Sequence, residues 1–312
     1  MHRMDASDWQ PLAGPADELG ESPFWHPGEQ RLYWVDIPGR QLRRCAGAGE
    51  PVESRALPQE PGCIAPARSG GLVIALRDGI YRLRAWDAPL EPLAAALHDT
   101  ATARFNDGKA DPAGRLWAGT LHEPRDAPRA GLYCLDARPV GAAIPGLQLR
   151  LEGVTTANGL AFAPDGRTMY WADTPSHRIR AWDFDPATGS LDNEREFHQF
   201  AGKPPGWKIG EPGYGGRPDG AAVDAQGHYW SALYEGGRIA RLSPEGQVVD
   251  AFPLPVQCPT MPCFGGADLR TLFVTTARQK RPASELQAQP WAGRVLCRRM
   301  PVAGRPVDFF VD

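Results

Sequence analysis

The sequence has no long hydrophobic run. No apolar stretch approaches the roughly 18 residues that a membrane-crossing helix needs, so none is predicted. The opening residues, MHRMDASDWQ, hold no apolar signal-peptide core, and a cytoplasmic protein is expected. There is no excess of charge of one sign either: 34 Lys and Arg stand against 37 Asp and Glu in 312 residues, a formal net charge of −3. Neither nucleic acid nor a membrane surface is therefore expected as a partner. The six cysteines (Cys45, Cys63, Cys134, Cys258, Cys263 and Cys297) form no C-x-x-C pair and stand beside no histidine at zinc-finger spacing. Reduced, buried thiols are expected, although the spacing alone would let Cys258 and Cys263 pair.

Several catalytic signatures are missing. There is no G-x-S-x-G nucleophile elbow, no G-x-x-x-x-G-K-[ST] phosphate loop and no H-E-x-x-H zinc helix. The seven histidines are scattered, with no two at a helical ligand spacing. No nucleotide cofactor is expected. What remains is a set of carboxylates and amides in Gly-containing segments, which suits hard cations and the activation of water.

Punctuation is abundant. The chain has 35 Gly and 32 Pro, about a fifth of its length, where average usage is nearer 12 %. Ten tryptophans accompany them. Such a chain has many turns, few long helices and aromatic strands. One pattern recurs six times: a polar Gly or Asp turn, then a short apolar or aromatic strand. The copies are centred on Tyr33, Val73, Trp117, Tyr170, Tyr229 and Phe273, at a mean spacing of about 48 residues, the length of a propeller blade. Further alternating runs lie between them, among them GIYRLRAW, GLYCLDA and GRVLCRRM. The prediction is an all-β, six-bladed β-propeller occupying residues 1–312 as one domain, closed by its N-terminal segment. A two-sheet sandwich would also use many short strands, but it needs no blade-length repeat. The two longest spacings predict insertions, one of them FAGKPPGWKIGEPGYGG, which reads as a surface loop or a pocket wall. EPLAAALHD and PASELQAQ predict short helical turns.

Four segments place polar residues ahead of short apolar runs: GESPFW (Glu21), RFNDGK (Arg104, Asn106, Asp107), TTANGLAF (Asn158) and GRPDGAAVD (Asp219). If the repeat strands are the innermost of their blades, these side chains converge on one mouth of the central channel, the default place for a ligand. Asn158-Gly159 and Asp219-Gly220 also fit type I′ hairpin turns.

These stretches, with WVDIPGRQLRR, ANGLAFAPDGRTMYWAD and PCFGGADLRTLFVTTAR, resemble the SMP-30/gluconolactonase/regucalcin family along nearly the whole chain. TLHEP, CFGG and ASELQAQPWAGRV are most similar to its bacterial sugar-lactonase branch. The resemblance implies a single divalent cation at the channel mouth. Carried over, its ligands are Glu21, Asn158 and Asp219. The substrate contacts are Arg104 and Asn106, with Glu123 as a looser match and His122 as an added candidate.

The implied reaction is hydrolysis of a sugar lactone to its aldonic acid. A divalent ion with open positions suits it, since it polarises a carbonyl and lowers the pKa of water. Asp219 would be both ligand and general base, with Glu123 the alternative base. Asp107 would orient Arg104. Oxygen ligation admits Ca, Mg or Mn, and three ligands with open positions also admit Zn or Fe(II). Another metal-dependent ester or organophosphate hydrolase, or a non-catalytic metal-binding propeller, is the alternative. A monomer with a small-molecule sugar lactone as its partner is expected.

Overall fold

The computed structural model describes residues 8–138 and 146–312. Its strands form six four-stranded antiparallel sheets. Five are built from consecutive strands, spanning 20–56, 61–95, 103–154, 157–199 and 217–253. The sixth joins Pro259–Gly265, Thr271–Thr276 and Leu296–Arg299 to the strand Gln10–Pro11. Gln10 pairs with Cys297 and Pro11 with Leu296, so chain segments far apart in sequence share one blade and the ring closes. The architecture is a six-bladed β-propeller. No helix among the described residues is long and apolar enough to cross a membrane.

The core is not one mass but six seams. Each buried cluster spans one pair of neighbouring blades. Tyr33 and Leu42 of blade one, for example, share a cluster with Ile64 and Ile74 of blade two. Blades five and six share Trp230, Phe252, Phe264 and Leu272. Sequence spells out the hairpins that line up these seams. In D-x-x-G-x-x-W the Asp folds the turn and then holds the Trp. Asp111 accepts the amides of Ala113 and Arg115 and the Trp117 indole, the last at 3.0 Å. Asp224 does the same for Gln226, His228 and Trp230.

Two expectations need correction. The six repeat strands are the second strands of their blades, for example Arg31–Asp36 and Tyr229–Tyr234. The innermost strands are the polar segments themselves: Gly20–His26, Ala103–Ala110, Ala157–Phe162 and Arg217–Val223. EPLAAALHD is not a helical turn; Leu90–Ala95 is an outer strand paired with Gly79–Leu83. There, a waiting sheet edge overrides Ala and Leu helix preference. PASELQAQ does form a short helix, Ala283–Ala288. All six cysteines are free and buried, Cys258 and Cys263 included. The extra length between the third and fourth repeats falls partly on residues 139–145, outside the described residues.

Trp9 locks the closing strand. It is 1 % exposed, its indole donates to the Pro253 carbonyl of blade five at 2.8 Å, and it packs in the seam between blades five and six. Trp9→Ala should cost about 3–5 kcal/mol, read as a lower urea midpoint. A loss below about 1 kcal/mol would mean that the ring does not rely on this seam.

Candidate functional site

Each polar innermost strand is irregular at its polar residue. The pairing register shifts between Glu21 and Phe24, Phe105 and Gly108, Asn158 and Ala161, and Pro218 and Ala221. A bulge bends a strand and re-aims a side chain. Asn158-Gly159 and Asp219-Gly220 therefore lie inside strands rather than at hairpin turns. Gly159 is required here. Its φ is +64°, and a Cβ would lie 2.3 Å from the Tyr229 hydroxyl, which itself donates to the Gly159 carbonyl at 2.7 Å.

The result is a cavity of roughly 210 Å³ at one mouth of the channel, lined by Glu21, Arg104, Asn106, Asn158 and Asp219 among others. All five are buried. Glu123 does not line it. It lies beyond the strand Leu116–His122, exposed, with a carboxylate oxygen 2.7 Å from Arg77. His122 is buried and is held by Asp126 at 2.7 Å, also outside the lining. Asp107 does not orient Arg104. It points between strands, where one oxygen accepts the Leu160 amide at 2.8 Å and the other has no partner.

A chain of hydrogen bonds sets the polar groups. Arg104 Nη1 donates to the Phe105 carbonyl and to Asn106 Oδ1, both at 2.8 Å. Asn106 Nδ2 donates to the Ala157 carbonyl and, at 3.0 Å, to Asn158 Oδ1. Asn158 Nδ2 donates to Thr174 Oγ1, which donates to the Pro218 carbonyl, both at 2.8 Å. Because the Thr174 hydroxyl proton is committed to a carbonyl, that oxygen can only accept from Asn158. The amide nitrogen must face Thr174, leaving Asn158 Oδ1 toward the cavity with a lone pair to spare.

Sequence reasoning missed the rest of the lining. Arg125, Arg217, Glu235, Lys280 and Arg281 belong to the cavity, and so does Ile209 of the insertion. The pocket-wall reading of that insertion therefore holds at Ile209. Glu235 ties the wall in place, taking Lys203 at 3.0 Å and Arg281 at 3.1 Å. His177 Nε2 meets the Tyr214 hydroxyl at 2.6 Å from the other side.

Comparison with known proteins bears on the family and the fold. The family model described as SMP-30/gluconolactonase/LRE-like region matches residues 19–278. The chain belongs to the SMP-30/gluconolactonase/LRE-like family. It is 43 % identical over 288 residues to the 6-deoxy-6-sulfogluconolactonase of Pseudomonas putida, covering 92 % of each chain. It is 32 % identical over 287 residues to the regucalcin of Danio rerio, covering 89 % of each. In structure it is similar to a calcium-binding regucalcin of Agrobacterium tumefaciens, with a TM-score of 0.85, 26 % identity and 96 % of each chain covered.

In this family member, the floor of the site is electrostatically unfinished. Glu21 and Asp219 form no ion pair among the described residues, and Glu21 takes only a long 3.4 Å bond from the Ser22 amide. Burial, then the charges of Asp219 and Asp107, push the Glu21 carboxyl well above its ordinary range. Burial, then Asp107, push Asp219 up to about 8. Two buried carboxylates call for a cation, and burying them bare is costly. Among the described residues no three His, Cys, Asp or Glu side chains gather around one point. Two carboxylates and the oriented Asn158 amide oxygen nevertheless make an all-oxygen donor set that fits a divalent ion.

The sign of the pH dependence follows. Both carboxyls hold protons more tightly in the folded than in the unfolded chain. Their contribution to stability is full in acid and is lost for Asp219 as the pH rises from 3.8 through about 8. Freed of divalent ions, the protein should melt several degrees lower at pH 8 than at pH 5. Asp219→Asn should flatten that slope. An equally steep slope in the variant would place its origin elsewhere.

Proposed function

We propose that this chain hydrolyses a sugar lactone to its aldonic acid, with a divalent cation held by Glu21, Asn158 and Asp219. The observation that carries this reading is the unpaired, buried Glu21–Asp219 floor beside a fixed row of donors, Arg104 and Asn106. The lactonase name of the Pseudomonas putida relative and the calcium-binding name of the Agrobacterium tumefaciens one support it. The ion is drawn from Ca, Mg, Mn, Zn and Fe(II).

A lactone is a cyclic ester. Water adds to its carbonyl carbon, the carbonyl oxygen becomes an oxyanion, and collapse breaks the ring C–O bond. The electron pair then stays on the ring oxygen, which takes up a proton. A bound divalent ion supplies Lewis-acid polarisation and a lower water pKa. Asp219 takes the proton from the attacking water and returns it to the departing ring oxygen. Its place in the cavity lining supports this role over Glu123, whose carboxyl Arg77 holds below the ordinary range outside that lining. Arg104 and Asn106 position the sugar hydroxyls. Arg104 is preorganised, since its bonds to Phe105 and Asn106 exist without substrate.

The test is a pH-indicator assay of metal-stripped protein on glucono-, xylono- and arabinono-lactones, with each divalent ion added back and spontaneous hydrolysis subtracted. Metal-dependent acceleration is expected on at least one lactone. Glu21→Gln and Asp219→Asn should each lower kcat/KM by at least about a hundredfold while circular dichroism stays unchanged. Full activity in either folded variant would overturn the assignment. Metal binding without turnover of any lactone would move the reading to a different ester or to a non-catalytic binder.

A further inference from the structure

The rim of the cavity carries more positive charge than a neutral sugar needs. Glu21, Asp219 and Glu235 are its acids. Against them stand five cations: Arg104, Arg125, Arg217, Lys280 and Arg281. With a divalent ion on the floor, the acids there are neutralised and the surplus grows.

Two of the cations are already committed. Arg104 is tied to Asn106, and Arg281 holds both Glu235 and Glu285, the latter at 2.6 and 2.8 Å. The other three are less so. Arg125 and Lys280 are exposed at the mouth and form no ion pair or side-chain hydrogen bond among the described residues. Arg217 lies 3.5 Å from Glu235, a long contact, and its buried Nε has no partner.

These three come from separate parts of the ring. Arg125 follows the strand Leu116–His122 of blade three, Arg217 opens the innermost strand of blade five, and Lys280 follows Thr271–Thr276 of blade six. Arg125 and Lys280 also occupy left-handed backbone, with φ of 56° and 57°, where glycine would cost less. Each nevertheless carries a long cationic side chain into the lining. Two exposed cations without ion pairs among the described residues, beside an Arg217 that shares the single Glu235 carboxylate with Lys203 and Arg281, leave positive charge in the lining that matches an anion on the ligand.

We propose that Arg125, Arg217 and Lys280 bind a fixed anionic group on the sugar lactone, carried at the carbon farthest from the ester. The inference rests on the lactonase reading above and adds the substrate class. Sulfonate, phosphate and carboxylate share the required chemistry. A tetrahedral anion can accept from all three side chains at once, whereas a planar carboxylate offers only two oxygens.

The experiment compares the metal-loaded protein on glucono-1,5-lactone with its 6-phosphate, its 6-deoxy-6-sulfonate and the corresponding 6-carboxylate lactone. At least one anionic lactone should show a kcat/KM roughly tenfold or more above the neutral one. The gain should sit in KM and shrink as salt is raised from 20 to about 500 mM. Which of the three gains most identifies the anion. Arg125→Ala and Lys280→Ala, both at exposed positions, should each lower the anionic-to-neutral ratio of kcat/KM by roughly fivefold or more. Equal or better use of the neutral lactone by the wild type overturns the anion site and leaves the lactonase reading standing. An unchanged ratio in both variants overturns the assignment to these residues. Failure to hydrolyse any of the four, or the xylono- and arabinono-lactones, overturns both readings.

Discussion

The structure is organised around two carboxylates that the protein buries without giving them a cation of its own. Glu21 comes from blade one and Asp219 from blade five. Only a closed ring brings them to one cavity, and only bulged inner strands turn both side chains into it. Their neighbours make the pair harder to ionise. Asp107, itself buried, adds negative charge to both. Arg104 shares the lining, but its bonds go to a carbonyl and to an amide oxygen. Natural cores rarely tolerate such an arrangement unless something charged is meant to enter.

The neutral parts of the site serve the same end. Asn106 and Asn158 hand one hydrogen bond to the next until the chain ends on the Pro218 carbonyl, beside Asp219. That relay crosses three blades without a formal charge. It fixes an amide oxygen next to the carboxylates at no electrostatic cost, and it makes the geometry of the floor depend on the seams between blades. Stability and site geometry are thus one property here. A loosened seam would let the amides rotate, and the donor set would lose its third oxygen.

The fold was legible because its repeat is local. Asp folds a turn and holds a Trp six residues on, as in Asp111 with Trp117, and such a unit recurs whatever happens elsewhere. Which strand lines the channel was not legible, because that depends on closure of the whole ring. Asn158-Gly159 reads as a turn for the same reason that it makes a good bulge: glycine reaches φ +64° freely, and sequence does not distinguish the two uses. EPLAAALHD misled because a free sheet edge outweighs a few tenths of a kcal/mol of helix preference per residue. The floor of the cavity was found through motifs that sit on strands. Arg125, Lys280 and Glu235 escaped because they follow strand ends in loops with no shared spacing.

That division between strand-borne floor and loop-borne rim bears on how such a site diverges. The floor residues are held from several blades at once, so changing one disturbs the relay. The rim residues are held singly. Arg125 and Lys280 contact no partner among the described residues, so either could change with little effect on the fold. Glu235 is the exception. It is buried, and it binds Lys203 of the insertion and Arg281 of the loop between Thr271–Thr276 and Leu296–Arg299 of blade six, tying those two loops together. The floor and the rim are therefore structurally separable in this molecule. The ring fixes the buried acids of the floor, while loop residues supply the exposed cations of the rim.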